Sequence, residues 1–91
     1  MKLPSKVRIT SKVSYDVLFS SDLGEDILGL CDPENKQITL KIDQTKTEML
    51  KVYLHEVVHA MNFEFEIGIT EAQTLKLETA VYKLLKLNKW I

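Results

Sequence analysis

The 91-residue sequence predicts an α+β domain, a small antiparallel or mixed β-sheet of three to four strands followed by two helices. Two observations predict it. Up to Ile42, apolar residues fall in short β-branched and aromatic runs with partial alternation, separated by turn-forming residues. From Thr45 onward the spacing becomes helical, and a capping box opens each of two apolar-striped stretches. No repeat, low-complexity tract or Gly/Ser/Pro-rich linker divides the chain, so residues 1–91 read as a single domain.

The first strands are expected at Lys6 to Thr10 and Val13 to Leu18, where β-branched and aromatic residues concentrate. Asp22 to Asp26 is polar and contains a glycine, which predicts a loop. Ile27 to Cys31 and Gln37 to Ile42 flank Asp32-Pro33-Glu34-Asn35, whose turn chemistry predicts a hairpin. Ile38, Leu40 and Ile42 alternate with Thr39 and Lys41, the pattern of a strand with one buried face.

Thr45-Lys46-Thr47-Glu48 then opens a helix expected to reach about Phe65, with Leu50, Leu54, Val57, Val58, Met61 and Phe65 as its apolar stripe and Gly68 as its stop. Thr70-Glu71-Ala72-Gln73 opens a second helix to about Asn88, whose wet side is marked by Lys76, Lys83 and Lys86. Trp90, close to the C-terminus, is expected to pack against the sheet.

Composition excludes more than it assigns. Hydrophobic content of 45% and charged content of 27% are ordinary for a globular domain. A net charge of -1 with scattered basic residues gives no basis for a nucleic-acid or anionic-membrane partner. Cys31 is the only cysteine, so no internal disulfide is expected, and as a thiol at a strand end it reads as a small buried hydrophobe. The N-terminal residues lack an apolar run of signal-peptide length, and no segment approaches the roughly 20 apolar residues of a membrane span. The expected location is cytoplasmic.

The chemistry is concentrated in His55-Glu56-Val57-Val58-His59, which contains both histidines of the chain. Histidines four apart on a helix point the same way, so two imidazoles can hold one zinc ion with Glu56 beside them as general base. On the helical wheel the histidines fall beside the apolar stripe, and Glu56 falls further toward solvent. The residues after His59 lack the Gly and His of the metzincin extension. A structural zinc site is disfavoured too, because such sites close with four ligands and favour Cys.

Catalytic zinc commonly takes three protein ligands, and with no histidine left the third should be a carboxylate. The candidates are Glu64, Glu66, Glu71 and Glu78. Glu64 is rotated away from both histidines, and Glu66 lies where the helix should be ending. Glu78 falls inside the broad apolar arc of the second helix, where a carboxylate is costly unless paired or metal-bound, and is preferred. Glu71, on the same face near the helix start, is next, although the helix dipole alone would favour an acid there.

With these residues in view, the chain resembles a family of small zincin-like proteins, mostly encoded by phages and mobile elements and distantly related to the peptidase domain of ImmA/IrrE regulators. The resemblance runs from the Lys-rich first strands through Leu28-Gly29-Leu30-Cys31-Asp32 and Ile38-Thr39-Leu40. It peaks at Leu54-His55-Glu56-Val57-Val58-His59-Ala60 and ends with Val81-Tyr82-Lys83-Leu84-Leu85-Lys86. It implies a small sheet with an active-site helix and a ligand-bearing helix, His55 and His59 as zinc ligands, and Glu56 as catalytic base in a metallopeptidase acting on a peptide or protein. Where the family pattern carries a ligand Glu on the second helix, this chain has Leu75, with Glu78 three residues on and Glu71 four residues back.

Two readings of activity stay open at this point. One is a zinc-dependent peptidase, in which the strand at Gln37 to Ile42 offers an edge for an extended substrate. Arg8, Tyr15, Tyr53 and Tyr82 are its candidate oxyanion helpers. The other is a non-catalytic accessory protein that uses a zincin fold to bind a host protein, in the host cytoplasm if the chain is phage-encoded.

Overall fold

The computed structural model of the chain describes residues 2–91. Four strands precede two helices: β1 (Lys6–Arg8), β2 (Ser14–Ser20), β3 (Gly29–Asp32), β4 (Gln37–Lys41), α1 (Lys46–Glu64) and α2 (Glu71–Leu87). The fold is α+β, with one four-stranded mixed sheet in the order β1-β2-β4-β3. β3 and β4 form the expected antiparallel hairpin, with Cys31 opposite Ile38. β2 and β4 run parallel, with Val17 opposite Ile38 and Phe19 opposite Leu40.

That order corrects one expectation. The strand beginning at Gln37 is not an edge, because β4 is paired on both sides; β1 and β3 are the two edges, and β3 is the one that contacts α1. β4 alternates buried Ile38 and Leu40 with half-buried neighbours, which suits a central strand.

Alternation along β2 turns Tyr15 and Val17 inward. Together with Ile38, Leu40, Leu50, Tyr53 and Ala60 they make the core. Helix α1 lies across β3 and β4, and α2 packs on α1 rather than on the sheet. Val58 is buried as well, outside the cluster that packs on the sheet. Ala60 is fully buried, which lets neighbouring elements approach closely at that level. Both helices begin with the complete capping boxes read from the sequence, at Thr45 with Glu48 and at Thr70 with Gln73.

The end of α1 comes earlier than Gly68. Phe65 is the C-cap and Glu66 takes the left-handed conformation at φ 52. The Glu66 amide donates to the Phe63 carbonyl and the Ile67 amide to the Asn62 carbonyl, the bond pattern of a Schellman motif with Glu in the place glycine usually takes. Gly68 instead turns the following loop at φ 80. Lys89 closes α2 in the same way, at φ 57. Trp90 departs from expectation: it is 64% exposed, and the adjacent Ile91 packs against the core in its stead. No helix among the described residues is long and apolar enough to cross a membrane.

Candidate metal centre

His55 and His59 lie one turn apart in the middle of α1 and turn the same way, their ring centroids 4.7 Å apart. Their Nε2 atoms approach to 3.1 Å. Glu71, at the first position of α2, reaches both: Oε1 is 2.8 Å from His55 Nε2 and Oε2 is 3.0 Å from His59 Nε2. His55, His59 and Glu71 thus offer three ligand atoms to one point. Two ligands about 2.0–2.2 Å from zinc at a tetrahedral angle stand roughly 3.3 Å apart. The observed 2.8 to 3.1 Å separations lie a few tenths of an ångström inside that edge, so a small outward shift would be needed for the three residues to hold such an ion. The donor set, two imidazoles and a carboxylate, is one that catalytic zinc uses.

Glu78 occupies a different place. Its Oε1 lies 3.1 Å from Nδ1 of His55, the nitrogen turned away from the cluster. Nδ1–H donating to a carboxylate leaves Nε2 with its lone pair free for a metal, and it fixes the plane of the ring. The two carboxylates left open on α2 are therefore separated by position: Glu71 lies on the cluster side of His55 and Glu78 behind it. Glu64 and Glu66 stand apart from both histidines. Glu64 pairs with Lys36 at 2.6 Å, and Glu66 is an exposed residue at the end of α1.

Glu56 differs most from its expected position. Far from facing solvent, it is 7% exposed, beneath the free-edge strand β3. Burial pushes its carboxyl up to about 7, against the pull of nearby His55; Glu71 and Glu78 add to the rise. Gly29 makes this possible. A Cβ at that position would stand 2.5 Å from Val52 Cγ1 and 3.2 Å from Glu56 Oε2. A glycine inside a strand commonly marks such a close approach, a signal that was available in the sequence.

Asn62 was not foreseen either. Its Oδ1 accepts from the amides of Gly68 at 2.7 Å and Ile69 at 3.1 Å, which ties the loop entering α2 to α1. That tie determines where Glu71 begins α2. Asn62 lies three residues after His59, hence on nearly the same helical face, and a polar amide at that spacing was the available clue.

The cluster opens onto two hollows along β3. One is bordered by Leu30, Cys31, Pro33 and Phe63, the other by Ile27, Leu28 and Leu75. Cys31 lines the first as a neutral thiol, since burial and then the neighbouring Glu56 push it up to about 12. None of Arg8, Tyr15, Tyr53 and Tyr82 lines either hollow. Comparison with protein-family models, curated proteins and solved structures finds no match.

Proposed function

We propose that this protein is a zinc-dependent metallopeptidase-like hydrolase whose metal is held by His55, His59 and Glu71. The observation that carries this reading is the convergence of three ligand side chains from two helices, with buried Glu56 directly beside them. Bound zinc supplies Lewis acidity, polarising a carbonyl and making a water acidic near neutral pH. Glu56 takes the proton of the attacking water and delivers it to the leaving amine as the peptide C–N bond breaks. Its carboxyl, raised by burial, favours accepting and then returning a proton. Glu78 holds His55 in the tautomer that presents Nε2.

The free edge of β3 offers unpaired backbone groups along which an extended peptide can add as a strand. Exposed Leu28, Leu30, Phe63 and Leu75 border the centre and favour apolar side chains on both sides of the scissile bond. The non-catalytic alternative draws its support from Leu75 standing where a ligand was expected and from the lack of a second lobe to wall a cleft; Glu71 answers the first of these. Glu71, four residues earlier on the same helical face, supplies a carboxylate within reach of both histidines.

The test is hydrolysis of a mixed peptide library by zinc-loaded protein, with Glu56→Gln as comparison. The expected loss in the variant is about 10²–10⁴-fold, with bound zinc unchanged. Cleavage that persists undiminished in Glu56→Gln would overturn the catalytic reading.

A further inference from the structure

A separate cavity lies away from the metal centre, where the end of β2, the first turn of α1 and the last turns of α2 meet. Its volume is about 350 Å³, within the range of roughly 300–1,000 Å³ found for small-molecule sites. The sequence shows why it forms. Phe19 continues the inward alternation of Tyr15 and Val17 along β2, yet it is 49% exposed. α1 crosses β3 and β4, and α2 rests on α1, so neither helix covers that end of β2. Phe19, Leu50 and Tyr82 contribute an apolar lining.

Every charged side chain lining the cavity is a lysine: Lys2, Lys46 and Lys86. In a chain of net charge -1, this local excess is not a reflection of overall composition. Glu48, in the same turn as Lys46, does not line the cavity; its carboxylate accepts from Thr45 in the capping box. Lys46 and Thr47 also stand in the first turn of α1, whose leading amides a helix leaves without internal partners. An apolar interior with a basic rim is complementary to one kind of small molecule: an apolar chain ending in an anion.

The geometry points to this cavity as a binding site for a single-chain amphiphile with a carboxylate head, a free fatty acid being the simplest case. The chain lies against Phe19, Leu50 and Tyr82, and the carboxylate meets the ammonium groups of Lys46 and Lys86. The site is independent of the metal centre, whose residues line other hollows.

The test is calorimetric titration of the full chain with laurate, octanoate and dodecyltrimethylammonium, each below its critical micelle concentration. Laurate should bind with a stoichiometry near one, octanoate more weakly, and the cationic amphiphile at least tenfold more weakly than laurate. The Lys46→Gln/Lys86→Gln double variant should lose at least tenfold in laurate affinity, and Phe19→Asp should abolish binding. Unchanged circular dichroism and thermal melting serve as the check that each variant is folded. Equal affinity for the cationic amphiphile, or undiminished laurate binding by the folded double variant, would overturn the assignment. So would an absence of laurate binding, or association only with vesicles containing anionic phospholipid, which would mark a membrane-facing surface instead.

Discussion

Glu56 and Glu64 lie eight residues apart on α1, about two turns, and meet opposite environments. Glu64 accepts from the Tyr15 hydroxyl and from Lys36, each at 2.6 Å, and these donors hold its carboxyl below the usual range. Glu56 draws no hydrogen-bond donor from the described residues, and burial drives its carboxyl up. One carboxylate is satisfied and fastens the end of α1 to the sheet. The other is largely buried beside His55, without a hydrogen-bond donor among the described residues, and burial raises its carboxyl. Their difference separates what holds the helix from what the helix presents.

The largest effect should appear in the pH dependence of stability of the metal-free protein. A carboxyl raised on folding favours the protonated folded state, so Glu56 costs nothing below its unfolded value near 4.5. The cost grows as pH rises toward about 7, reaching on the order of 3 kcal/mol above it. Glu56→Gln should therefore stabilise chelator-treated protein by that order at pH 8, with no gain near pH 4. Glu64→Gln should do the reverse, destabilising at neutral pH and losing its effect as pH falls. Urea titrations of both variants across pH measure this, and curves of the same sign would break the comparison.

Gly29→Ala should come next. The new Cβ meets Val52 and Glu56, so overpacking of about 1–3 kcal/mol is expected, with Glu56 displaced. Thermal denaturation reads the first, and loss of hydrolysis with zinc retained reads the second. Glu78→Ala should weaken zinc about 10–100-fold by releasing His55, as measured by competition with a chelator. The smallest effect should be that of Tyr15→Phe, about 1 kcal/mol in stability from one lost hydrogen bond, with zinc affinity untouched.

The parts of the fold written in local sequence were legible. The change of period after Asp43 and the two capping boxes depend only on neighbours within four residues, and both helices begin where those signals stand. The parallel pairing of β2 with β4 brings together strands separated by β3 and two loops, and alternation carries no information about that partner. The burial of Glu56 was hidden for a similar reason. A helical wheel describes α1 alone, and the wall over Glu56 is β3, brought there by the hairpin.

His55 and His59 were legible because four-residue spacing on a helix fixes their relation. Glu71 and Glu78 were not separable in the same way. They lie seven residues apart, nearly two turns along one face of α2, and each would meet a histidine at a different longitudinal position of that helix. Asn62 and its loop set that position, through bonds formed only once α1 has ended at Glu64.

Zinc binding to the Glu71 and Glu78 variants tests the central claim most directly. After chelation and reloading, the wild-type chain should hold one equivalent of zinc. Glu71→Ala should lose binding more severely than Glu78→Ala, whose deficit should be largely repaired in Glu78→Gln, since the amide oxygen still accepts from Nδ1 of His55. A wild-type protein that binds no zinc, or a Glu71→Ala variant that binds it undiminished, would contradict the account.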